Sequence, residues 1–125
     1  MCQAIDPLTI LVVEDEPFIR MSAVATLEDA GFWVLEAQNN AEALEILSRH
    51  PEVSILITDV RMPGSMDGLA LVAQVQIDRP AVRSIIVSGN ATALEAGKAG
   101  ALGFVAKPYL GQTMVQAVHD TVLRN

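Results

Sequence analysis

Short aliphatic runs alternate with amphipathic stretches from one end of this chain to the other. The runs Leu8 to Val13, Trp33 to Ala37, Val53 to Thr58, Ser84 to Ser88 and Gly103 to Ala106 read as strands. Most are continuously apolar instead of alternating, the pattern of parallel strands covered on both faces. Between them lie helix signals. Pro17 suits the first turn of a helix running to Gly31. Asn40 is placed to cap a second helix with the stripe Ala43, Leu44 and Leu47, ending near His50-Pro51. Asp67-Gly68 opens a third, along one side of which lie Leu69, Val72, Ala73 and Gln76. Residues 90–99 have room for a short helix only, weakened by Gly97. The last helix covers 110–123, with Met114, Val118 and Val122 at i, i+4, i+8 and Val115 beside them. Five strands alternating with five helices predict a doubly wound α/β domain with a parallel sheet. Trp33 is expected to pack at a sheet margin.

The same pattern locates the chemistry. The first strand stops at Glu14-Asp15, the third at Asp59, the fourth at Ser88 and the fifth at Lys107-Pro108. In a parallel sheet these ends emerge along one edge, where doubly wound folds bind ligands. Each residue has an ordinary explanation by itself. An acid of the Glu14-Asp15 pair can cap the first helix, and Asp59 can form a turn before Met62-Pro63. Ser88 is unremarkable at a strand end, and Lys107-Pro108 can simply terminate a strand. A shared site explains what those accounts do not, the placement of all of them on one edge. Glu14 and Asp15 offer oxygens to a hard ion such as Mg²⁺. Asp59 beside them suffers like-charge repulsion that a cation relieves, and its oxygen can attack phosphorus. Ser88 can donate a hydrogen bond to a phosphoryl oxygen, and the Lys107 ammonium can neutralise developing charge; a cis peptide at Pro108 is one way to aim it.

Composition narrows the picture. At 125 residues and 51% hydrophobic, the chain is long enough for one core and too apolar for disorder. With aromatics at 4%, that core must be aliphatic. A net charge of −7 repels phosphate backbones, which argues against direct nucleic-acid binding. No apolar run reaches the roughly 18 residues of a membrane span. Met1 to Pro7 lacks a basic flank and an apolar core, and Cys2 is the only cysteine. A cytoplasmic protein without an internal disulfide is expected. His50 and His119 have no metal-ligand spacing and read as solvated.

Four stretches together resemble the receiver domain of two-component response regulators. They are Leu11-Val12-Val13-Glu14-Asp15-Glu16-Pro17, Thr58-Asp59-Val60-Arg61-Met62-Pro63 with Met66-Asp67-Gly68, Ile86-Val87-Ser88-Gly89, and Gly100-Ala101-Leu102-Gly103-Phe104-Val105-Ala106-Lys107-Pro108. The resemblance spans about 8–123 and implies a flavodoxin-like receiver fold. It makes Asp59 the phosphoacceptor. Asp15 and Asp59 would ligate Mg²⁺ directly with the backbone carbonyl of Arg61, and Glu14 largely through water. Ser88 would be the hydroxyl switch residue, Lys107 the phosphoryl ligand and Phe104 the aromatic switch. Three features depart from the usual pattern. Phe104 stands where tyrosine is common, Gly64-Ser65 lengthens the loop after Asp59, and Lys107 follows Ser88 by only 19 positions. The last departure points to a shortened fourth helix within Asn90 to Gly100 and puts the usual output face in doubt.

The resulting expectation is a single receiver domain over 1–125 with no output domain, either stand-alone or cut from a longer regulator or hybrid kinase. It would take a phosphoryl group onto Asp59 from a phosphohistidine of a histidine kinase or phosphotransfer protein, and act as a switch, not a turnover enzyme. A homodimer is possible within this reading, and no membrane contact is expected. The alternative is an unphosphorylated adaptor or dimerisation module of the same fold. A phosphatase of the haloacid-dehalogenase kind fits poorly, because Arg61 stands where its second acid belongs. Helix 1 is apolar on two sides, with Ile19, Ala23, Leu27 and Ala30 on one and Phe18, Met21 and Ala25 on the other. One stripe must face the sheet, and the other is expected to help dock a helical phosphodonor.

Overall fold

The computed structural model describes residues 8–60, 67–89 and 92–123. Five strands, β1 (Thr9–Val13), β2 (Trp33–Ala37), β3 (Val53–Asp59), β4 (Arg83–Ser88) and β5 (Gly103–Ala106), form one parallel sheet in the order β2-β1-β3-β4-β5. The helices α1 (Pro17–Asp29), α2 (Asn40–Arg49), α3 (Gly68–Asp78), α4 (Ala93–Ala99) and α5 (Gly111–Leu123) connect them.

Two buried clusters explain the aliphatic runs. Leu11, Val13, Leu56 and Ile86 pack with residues of α2, α3 and α4, while Ile10, Val12, Ile55, Ile57, Ile85, Val87 and Val105 pack with Ala23, Leu27, Met114 and Val118 of α1 and α5. Neighbours in one strand thus serve opposite faces, so both must be apolar. No helix among the described residues is long and apolar enough to cross a membrane.

Local chemistry sets the helix ends. Helix α1 closes at Ala30 with Gly31 at φ 96°, and the Phe32 N–H reaches back to the Leu27 carbonyl at 3.1 Å. Helix α4, at seven residues the shortest of the five, is held at its start by a capping box. There the Glu95 N–H donates to Thr92 Oγ1 at 3.1 Å and the Thr92 N–H donates to Glu95 Oε1 at 2.9 Å. This short helix lies within residues 90–99, where the sequence placed it.

Several expectations need correction. Asn39, not Asn40, caps α2, its Oδ1 accepting from the Glu42 N–H at 2.8 Å. Asn40 is instead buried and donates from Nδ2 to the Asp67 carbonyl at 3.0 Å, tying α2 to the turn before α3. The buried face of α3 is Gly68, Leu71, Val72 and Val75, leaving Ala73 and Gln76 exposed. On α5, Thr121 is buried and Val122 is not, because the β5 glycine Gly103 lets the Thr121 side chain come close. Trp33 lies on the edge strand but stays 64% exposed.

Candidate functional site

Strand register alone gathers the polar ends. Val13 pairs with Thr58, Asp59 with Val87 and Ser88 with Ala106. Each pairing puts the next residue of one strand beside the next of its neighbour, so Glu14, Asp59, Ser88 and Lys107 follow one another along the carboxyl edge of the sheet. The Lys107 N–H donates to the Ser88 carbonyl at 3.0 Å, extending β5 to the lysine, and the Lys107-Pro108 peptide is cis.

The side chains converge accordingly. Lys107 Nζ donates to Asp59 Oδ2 and lies 3.4 Å from Glu14 Oε1. Glu14, Asp59 and Ser88 are all buried. Burial is the main reason the Glu14 carboxyl is pushed up to about 7; the negative charge of Asp59 adds to the rise, while the Glu16 N–H and Lys107 oppose it. Burial would lower the Lys107 ammonium, but its hydrogen bond to Asp59 and the charges of Glu14 and Asp59 outweigh that, so its pKa lies above the ordinary value. With both carboxylates ionised, one ammonium leaves a negative charge uncompensated.

Asp15 stands apart from this cluster: it is exposed, and no hydrogen bond or ion pair among the described residues engages its side chain. Accordingly, no three acidic, histidine or cysteine side chains among the described residues are gathered as metal ligands. Arg61, expected to lend its carbonyl, lies outside the described residues, as do Gly64 and Ser65 of the lengthened loop. Phe104 is half-buried on β5 and lines a groove of about 360 Å³ with Ala96, Gly97, Ala117 and Thr121, between α4 and α5.

Two residues important to the edge were given no part in the site by the sequence. Gly68 packs so closely on the Asp59 peptide that a Cβ there would lie 2.1 Å from its carbonyl oxygen. Arg20 donates from Nη1 to the Glu14 carbonyl at 2.7 Å. A cation in the first turn of a helix opposes the helix dipole, and that misplacement was the signal available for Arg20.

The response regulator receiver domain model matches residues 10–119. The chain belongs to this family. Among relatives of the receiver domain, a putative NtrX-like response regulator of Rickettsia felis is 38% identical over 112 residues, 86% of this chain and 23% of that protein. The chain therefore spans under a quarter of that relative's length. A CheY homologue from Campylobacter jejuni is 33% identical over 121 residues, 92% of each chain. The receiver domain of NtrX from Brucella abortus superposes with a TM-score of 0.85 at 28% identity, covering 93% of this chain and 99% of that one. The sheet edge described above is thus the carboxyl edge of a two-component receiver domain.

Proposed function

We propose that Asp59 is the phosphoacceptor of this receiver domain, taking its phosphoryl group from a phosphohistidine of a histidine kinase or phosphotransfer protein. The observation that carries the reading is the Asp59 carboxylate, fixed at the strand end and hydrogen-bonded to the Lys107 ammonium beside the buried Glu14. An Asp59 oxygen forms the new O–P bond while the N–P bond of the donor imidazole breaks, its electron pair returning to the ring nitrogen. Lys107, kept protonated by its two acidic neighbours, offsets charge on the phosphoryl oxygens. Ser88, next along the edge, is the hydroxyl that would follow the phosphoryl group, and half-buried Phe104 would respond, shifting a conformational equilibrium.

The donor set fits a hard divalent cation. Two carboxylates share one ammonium, and one of them, Glu14, is pushed up to about 7, chiefly by burial and further by the charge of Asp59. Glu14, Asp15 and Asp59, with the Arg61 carbonyl, would hold Mg²⁺. When bound, Mg²⁺ supplies positive charge to the transferring group.

The donor would dock beside the site. Ala23 and Leu27 turn α1 to the sheet, which leaves Phe18 79% and Ile19 39% exposed. These two line an apolar groove of about 530 Å³ that reaches Lys107 and Tyr109. This reading also puts the domain in the cytoplasm, with its kinase.

The test is incubation with acetyl phosphate and Mg²⁺ followed by intact-mass measurement. Wild type gains one phosphoryl group and Asp59→Asn gains none; equal labelling rejects Asp59 as acceptor. Phe18→Ala should slow transfer from the cognate kinase and spare labelling by acetyl phosphate.

A further inference from the structure

The Arg20 guanidinium links three elements. Its Nε donates to Glu36 Oε1 of β2 at 3.1 Å, its Nη1 donates to the Glu14 carbonyl at 2.7 Å, and the side chain is only 18% exposed. That carbonyl belongs to the peptide joining Glu14 to Asp15. The Glu14 N–H is also fixed, donating at 3.0 Å to the carbonyl of Ala37, the residue after Glu36. A closed circuit results: β2 holds the Glu14 N–H directly and its C=O through Arg20. Arginine suits the task because its planar fork meets both acceptors at once, and a single ammonium does not.

We propose that Arg20 is a positioning residue for the acidic pair. By fixing the peptide between Glu14 and Asp15, it sets the direction in which both carboxylates leave the end of β1. The buried Glu14 then faces Lys107 and Asp59, and Asp15 stays at the same edge, available to a divalent cation. Rotation of that one peptide would move both acids, so losing Arg20 disorders the ligands without removing any of them. This inference rests on the metal-binding reading above.

The test titrates Mg²⁺ into the full chain without any phosphodonor and follows the thermal midpoint of wild type, Arg20→Gln, Arg20→Lys and Glu36→Ala. The apparent Mg²⁺ dissociation constant comes from the concentration dependence of the midpoint. Arg20→Gln is expected to weaken Mg²⁺ about tenfold or more, the usual effect of removing a group that orients metal ligands. Arg20→Lys should fall between it and wild type. Glu36→Ala, which lies outside the acid cluster, should shift in the same direction by less, and decides the matter if Arg20→Gln fails to fold. A purely structural arginine would lower the midpoint in EDTA and leave the Mg²⁺ constant unchanged, and that result overturns the proposal. A wild type that shows no Mg²⁺-dependent rise defeats the metal reading itself, whereas unchanged affinity in the variants defeats only the role of Arg20.

Discussion

Replacing Gly68 by alanine tests how the proposed phosphoacceptor, Asp59, is held. Gly68 is the first residue of α3, and its N–H donates to the Val60 carbonyl at 2.8 Å. A Cβ added there would sit 2.1 Å from the Asp59 carbonyl oxygen, 2.8 Å from its carbonyl carbon and 2.9 Å from the Val60 Cα. All three are backbone atoms, so no side-chain rotation relieves the overlap; either α3 withdraws or the Asp59 peptide turns. Helix propensity favours alanine by at most about 1 kcal/mol. Overpacking of this kind costs about 1–3 kcal/mol and occasionally more, and contact with backbone puts this case at the upper end. A net loss of about 2–3 kcal/mol is expected, lowering the midpoint of thermal unfolding by about 10 °C. Gly97→Ala is the matched control, because Gly97 lies within α4 and its added Cβ meets nothing within 4 Å. It should stabilise by about 0.5–1 kcal/mol. Urea titration of both variants gives the two signs, and acetyl phosphate labelling below the transition shows whether the Asp59 peptide has moved. A Gly68→Ala variant as stable and as readily labelled as wild type would refute the packing argument.

Lys107→Gln removes the cation on Asp59, and labelling by acetyl phosphate should slow by about two orders of magnitude, the scale for losing one charge-stabilising donor. A rate within a factor of about two of wild type would contradict that role. Glu14 predicts a pH dependence. Its folded pKa of about 7 lies above the ordinary 4.5, so the folded state holds a proton that the unfolded state has released. Stability of the metal-free protein therefore falls as pH rises from 4.5 through about 7, whereas Mg²⁺ binding, which needs the carboxylate, strengthens over the same range. Glu14→Gln should flatten both trends, as read by thermal midpoints with EDTA and with Mg²⁺.

What the sequence made legible follows from the period of its patterns. Long aliphatic runs ending on Asp59, Ser88 and Lys107 announced parallel strands, and register then assembled the edge with no further information. Helix faces were harder to read. Thr121 takes the buried place assigned to Val122, because the missing side chain of Gly103 opens space that no helical period encodes. Asn39 and Asn40 are both good caps, and only the tertiary bond from Asn40 to Asp67 decides between them. Beyond its misplaced charge in the first turn of α1, Arg20 gave no sign of its role for a related reason: its partners Glu14 and Glu36 are near neighbours only after β1 and β2 pair. The residues proposed for the chemistry thus stood out by their position at strand ends, and the residues that hold them in place did not.

If Asp59 carries the phosphoryl group, the acyl phosphate can be trapped on that residue. After labelling with acetyl phosphate and Mg²⁺, borohydride reduction converts an aspartyl phosphate to homoserine, and peptide mass mapping locates it. Homoserine at position 59 alone is the predicted result; homoserine at Asp15, or none in protein that has gained phosphoryl mass, would contradict it.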